Sequence, residues 1–210
     1  MIKKYLLLLC CFFSAAYLFA QPVRSFSGAK GPELRWTLLH PKAGNIGWKC
    51  ALRARFVTDS LEKAGILRDG NGGQLDAFRH AYWMALMVQK TSPVRAEQLG
   101  QAHEKSNYKQ FRRSKNEDGV VPDSMASVMD LFNNSTGIAI GLAWKNDTSA
   151  KKQSLISRIV AAINTGQLRI LKKDTAGNFL TCNGKVISAT EYKGKWNVPK
   201  CMVNSNKIPG

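Results

Sequence analysis

Gln74-Leu75-Asp76-Ala77-Phe78-Arg79-His80-Ala81-Tyr82-Trp83-Met84-Ala85-Leu86-Met87-Val88-Gln89-Lys90 decides the fold class. Leu75, Phe78, Tyr82, Ala85 and Leu86 recur at three- and four-residue spacing, the period of a helix packed on a core. Turn-forming Arg68-Asp69-Gly70-Asn71-Gly72-Gly73 precedes the stretch and Thr91-Ser92-Pro93 follows it, so the spacing predicts a helix over 74–90.

The same period continues on both sides. Upstream, Ile46, Cys50, Ala54, Val57, Leu61 and Ala64 form one stripe, and Gly65 supplies a stop. Downstream, Ser92 and Pro93 cap and begin a helix over 93–107, followed by a polar, basic stretch at 108–122 that reads as an exposed loop. Asp123 or Ser124 caps a further helix to about Trp144. Within it, Gly137 and Gly141 are four apart and would let another helix approach closely. Two such glycines cost about 1 kcal/mol each relative to alanine, so a packing gain is expected. Thr148 or Ser149 opens a last helix with Leu155, Ile156, Ile159, Val160 and Ile163 inside, ended by Gly166.

From Leu168 the period shortens. Leu168-Arg169-Ile170-Leu171 and Phe179-Leu180-Thr181 read as extended runs. Asn183-Gly184 favours a two-residue hairpin turn, with Lys185-Val186-Ile187 as the return strand. The expected fold is therefore mainly α, a bundle of about five helices with a small C-terminal β-hairpin appendage. The expected organisation is a signal peptide over 1–20, an irregular entry segment over 21–45, a helical domain carrying the polar site over 46–166, and a small β tail over 168–210.

Lys3 and Lys4, then the apolar run from Leu6 to Phe19, then Ala20, have the order of a secretory leader cleaved near Ala20. The protein is expected to be exported, to the periplasm or the medium. Cleavage would leave Cys50, Cys182 and Cys201. Export permits disulfides, and a Cys182–Cys201 bridge would staple a tail with little core of its own. No CxxC pair, zinc-finger spacing or GxSxG elbow is present in the chain, so thioredoxin-like and common serine-hydrolase chemistry lack motif support.

The chain has 210 residues, 44% hydrophobic and 21% charged, which is globular composition and excludes wholesale disorder. Its formal charge is +17, which implies an acidic partner such as an anionic substrate or polymer, or a membrane surface. Lys105, Lys109, Arg112, Arg113 and Lys115, interleaved with Tyr108 and Phe111, are the densest basic cluster. No signature of sequence-specific nucleic-acid readout accompanies it.

Three polar stretches interrupt the helical stripes: Asp76-Ala77-Phe78-Arg79-His80, Ala102-His103-Glu104, and Asp130-Leu131-Phe132-Asn133-Asn134 with Gly137. Asp76 and His80 share a helix face, with Arg79 bordering it, and Asp130, Asn133 and Asn134 form a stripe on another helix. Buried polar groups need partners, so the stripes are expected to face one another, with His103 and Glu104 added from the helix between. A carboxylate beside an imidazole serves either a general base or a metal ligand. The candidate catalytic set is Asp76, Arg79, His80, His103, Glu104, Asp130, Asn133 and Asn134. The candidate metal ligands are His80, His103 and Asp130, for a divalent ion such as zinc. Asn133 or Asn134 would donate to an oxyanion, Arg79 would hold an anionic group, and the glycine-rich loop before Gln74 offers amides as an anion seat. A purely structural polar network remains the competing account of the same residues. His40, beside Pro41, reads as local structure.

The motifs Gly-x-x-Asp-Ala-Phe-Arg-His-Ala-Tyr-Trp, Ala-His-Glu and Met-Asp-Leu-x-Asn-Asn-x-x-Gly, over Gly73–Gly141, resemble a bacterial helical domain family of unknown function found in exported and toxin-associated chains. The resemblance implies a shared site at Asp76, Arg79, His80, Trp83, His103, Glu104, Asp130, Asn133, Asn134 and Gly137. Met84 stands where an Asn is commoner in that family. The functional expectation is an exported hydrolase, metal-assisted or driven by a His/Asp general base, acting on an anionic phosphodiester, lipid or cell-envelope substrate. The alternative is a non-catalytic, envelope-associated binding or structural module.

Overall fold

The computed structural model describes residues 31–113, 122–150 and 152–207. The signal peptide expected over 1–20 lies outside the described residues. Among these residues six helices run in order: α1 Pro32–Leu39, α2 Pro41–Lys63, α3 Gln74–Lys90, α4 Pro93–Arg113, α5 Ser124–Asn146 and α6 Leu155–Asn164. Strands β1 Arg169–Leu171 and β2 Met202–Asn204 follow.

α3 occupies the bounds its periodicity predicts and forms the axis of the molecule, packed by α2, α4, α5 and α6. A helix enclosed this way must be apolar nearly all round. Phe78, Ala81, Met84, Ala85, Met87 and Val88 are accordingly sealed from solvent. Gly137 and Gly141 of α5 sit against Ala81 and Ala85 of α3, as their spacing suggests. A Cβ at Gly137 would lie 2.2 Å from the Ala81 carbonyl oxygen, and one at Gly141 2.9 Å from Ala85 Cα.

Several expected boundaries shift. The entry segment is not irregular where it is described: α1 and α2 occupy 32–63, each with a proline in its first turn. Proline's missing N–H is harmless there, so Pro32 and Pro41 begin helices instead of preventing them. The basic stretch after residue 107 is also helical as far as Arg113, where α4 ends. Lys115 lies outside the described residues. α5 starts as expected, with Asp123 accepting from the Met125 and Ala126 amides. The cap of α6 is Ser154, not Thr148 or Ser149, and its side chain accepts from the Ser157 amide.

The tail is β, and beside the expected hairpin it forms a second, longer-range pairing. β1 pairs antiparallel with β2, with Arg169 opposite Asn204, Ile170 opposite Val203 and Leu171 opposite Met202. The Asn183-Gly184 turn is present, with Gly184 at φ 86, and the returning run sets Val186 opposite Leu180, with the Thr181 amide donating to the Lys185 carbonyl and the Ile187 amide to the Phe179 carbonyl. The Cys182–Cys201 disulfide forms, with Cα atoms 4.7 Å apart, while Cys50 is free and buried. Leu168, Ile170 and Leu171 are buried, so this tail adds to the core rather than hanging from it. No described helix is long and apolar enough to cross a membrane.

Candidate functional site

The polar residues of α3 cluster at its N-terminal end, where backbone amides face outward without helical partners. Asp76 occupies the anion seat expected of the glycine-rich loop: its Oδ2 accepts from the Gly72 amide at 2.9 Å. Its Oδ1 accepts a close ion-paired hydrogen bond from Arg79. That oxygen also lies 3.5 Å from His80 Nε2. From α5, Asp130 brings its Oδ1 to 3.5 Å from the same nitrogen. Asp76, His80 and Asp130 each offer one ligand atom, all within 4.8 Å of one another, and all three residues are buried. Asp76 thus completes the trio in the position the sequence assigned to His103.

His103 stands across the pocket, its ring centroid 6.0 Å from that of His80 and edge-on to Trp83. Its Nδ1 is 3.3 Å from Glu33 Oε2. Glu33 is the site residue that sequence reasoning missed. The helix-start signal Gly31-Pro32-Glu33 that carries it was hidden in a segment read as irregular. Glu104 and Asn134 belong to the rear of the cluster, and Asn134 lies beside the His80 ring. Asn133 does not face the centre: its Nδ2 donates to the Arg169 carbonyl and its Oδ1 accepts from the Arg169 amide, both at 2.9 Å. Its expected oxyanion role gives way to clamping the tail on α5.

The cluster buries the carboxyl groups of Asp76, Glu104 and Asp130. Burial raises the Asp130 carboxyl well above the ordinary carboxylate range, and the neighbouring Asp76 and Glu104 charges add to this. Burial also raises Glu104. Burial pulls the His80 imidazole down to about 3, against the opposing pull of Asp76. For His103 burial again disfavours the proton, but the Glu33 hydrogen bond and the charges of Glu33 and Glu104 outweigh it and raise the ring's pKa. His80 Nδ1 and Asp130 Oδ1 have no hydrogen-bond partner. Buried polar atoms left in this state are uncommon in native proteins.

A pocket of about 170 Å³ opens onto this centre from between α1, α2 and α4. His80, His103, Arg79 and Glu33 line one side; Gly44, Gly47, Ala51 and Ala54 of α2, with Trp48, Trp83 and Leu99, line the rest. The small residues of α2 keep the trough open, and Arg55 adds a second cation.

Residues 35–167 match DUF6973, a domain of unknown function. The chain belongs to this family. The DUF6973 span takes in every sequence-predicted site residue, whereas Glu33 lies two positions before it and the β tail follows it. It is wider than the Gly73–Gly141 stretch on which the resemblance was seen, because it includes α2 and α6. No curated protein and no solved structure matches the chain.

Proposed function

We propose that this DUF6973 protein is an exported metal-assisted hydrolase whose Asp76, His80 and Asp130 hold a divalent cation. One observation carries the reading: two buried carboxylate oxygens sit 3.5 Å from one buried imidazole nitrogen. Ligands about 2.1 Å from a tetrahedral zinc lie about 3.4 Å apart, so the spacing suits one ion. Its charge would offset the buried carboxylates. Arg79, whose side chain is 44% exposed, can turn outward to make room. The donor set of one nitrogen and two oxygens suits zinc or manganese.

A metal-free general base at His80 is less well supported. A base works best with a pKa near the operating pH, and His80 stands at about 3. His103 meets that requirement better, because Glu33 orients the ring and raises its basicity. A cation held by Asp76, His80 and Asp130 would supply Lewis acidity that lowers the pKa of a water molecule. His103 is placed to take a proton from a water molecule as that water attacks the phosphorus or carbonyl carbon of the substrate. His103 then returns the proton to the departing oxygen as the ester bond breaks. Arg79 steadies the developing negative charge. The trough along α2 accepts an apolar group beside an anionic one, which favours an anionic amphiphilic ester or phosphodiester. The disulfide is compatible with an extracellular setting.

Metal analysis tests this directly. The purified mature protein is expected to carry about one equivalent of a divalent metal, lost in both His80→Ala and Asp130→Asn. His103→Ala and Glu33→Gln should keep the metal and lower kcat by about 100-fold or more on whichever phospholipid or phosphodiester is turned over. A metal-free protein whose melting ignores chelators would instead favour a structural network in which Arg79 supplies the positive charge.

A further inference from the structure

A second concavity, about 760 Å³, lies between α4 and α5, within the usual size range of ligand sites. Its floor is polar in an unusual way. Glu104 and Asn134 are only 6% and 3% exposed. Glu104 Oε1, both amide atoms of Asn134 and the Ser127 hydroxyl are all buried without a hydrogen-bond partner. All three residues line this groove. Ser127 lies beside Glu104, yet no bond of adequate geometry satisfies either atom. The rim is aromatic: Tyr108 is 42% exposed and stands edge-on to Trp196, ring centroids 4.9 Å apart.

We propose that this groove is a binding site for a neutral saccharide. A carboxamide, a hydroxyl and a carboxyl offer donors and acceptors in the mixture that sugar hydroxyls require. Exposed aromatic faces carry partial negative charge and receive the weakly positive C–H face of a pyranose ring. Charge argues against a polyanion here. In a chain of formal charge +17, the acidic and basic residues lining the groove are Glu97, Glu104 and Lys105, so no cluster of cations faces it. The inference stands apart from the hydrolase reading, because it concerns binding and needs no metal.

Calorimetry and tryptophan fluorescence with chitotetraose, cellotetraose and maltotetraose test it, with a dinucleotide as the anionic control. Saturable binding of at least one sugar is expected in the wild type and equally in the metal-site variant Asp130→Asn. Tyr108→Ala should weaken binding about tenfold through lost stacking, and Tyr108→Phe should restore it. Asn134→Leu should abolish binding, with a cooperative melt showing that the variant folds. Failure of all three sugars to bind, binding that survives both Tyr108→Ala and Asn134→Leu, or preference for the dinucleotide would overturn the proposal.

Discussion

Glu33 and His103 lie 70 positions apart and meet at 3.3 Å, so their pairing exists only in the folded chain. This has a thermodynamic consequence. An imidazole whose pKa is raised by folding binds its proton more tightly in the native state. Its stabilisation is fully present below the unfolded value and disappears as pH rises through the folded one. Glu33→Gln removes the charge responsible. The stability difference between wild type and Glu33→Gln, measured by denaturant unfolding, should be larger at about pH 6 than at about pH 9. A gap independent of pH would show that Glu33 acts only through packing. At the same scale, neighbouring asparagines divide into different tasks. Asn133 spends both amide atoms on the Arg169 backbone, whereas Asn134, one position on, leaves both unpaired. Adjacent side chains on a helix point about 100° apart, so the split was implicit in the spacing, but its assignment was not.

The contact between α3 and α5 puts Asp130 opposite His80, and it depends on two missing side chains. Gly137→Ala would drive a methyl into the Ala81 backbone, which cannot turn aside as a side chain can. A loss of about 3 kcal/mol is expected, seen as a melting temperature lower by about 10 °C. Gly141→Ala, with looser contacts at Ala85, should cost less. Equal and small effects would mean that the helices separate easily, and the centre would then be less well held than its spacing implies. Much of the element pattern was legible beforehand. α3 and α5 declared themselves by period and caps, and the glycine pair announced a close crossing. α1 was missed because a helix of eight residues shows too few turns for its period to stand out. The β tail was recognised by its change of period, and its Asn183-Gly184 hairpin forms with Leu180 opposite Val186, but the pairing of β1 with β2 was not foreseen. β1 joins a partner more than thirty residues away across the disulfide loop, and local turn chemistry does not encode that choice.

Across the whole molecule the tail acts as a brace at the end of the bundle that carries the site. The Leu171 amide donates to the Gly72 carbonyl at 2.7 Å, and Gln74 Nε2 donates to the Ser205 carbonyl at 2.9 Å. Lys173 pairs with Asp69 in the loop that leads to Asp76. The disulfide spans 19 positions of this tail. Replacing both partners by serine should cost about 3 kcal/mol in denaturant stability. It should also loosen the loop before α3, which hydrogen exchange at Gly72 and Leu171 would register. Cys50 is expected to resist alkylation in the native protein at about pH 8 and to react only after unfolding, because burial pushes its thiol up to about 11. Rapid labelling of the folded protein would contradict this burial.

The amino-acid sequence alone determined the helical class, the central helix, the glycine crossing, the cysteine pair, and the three polar stretches that had to find partners. These follow from periodicity, backbone sterics and the cost of burying unpaired polar groups, all of which act over short stretches of chain. Only the tertiary structure decided that Asp76 and not His103 joins His80 and Asp130, that Glu33 holds His103, and that Asn133 serves the tail. Those choices depend on the angles and distances at which whole helices pack. A shift of a few ångströms between two helices changes which carboxylate meets an imidazole without altering the hydrophobic pattern of either.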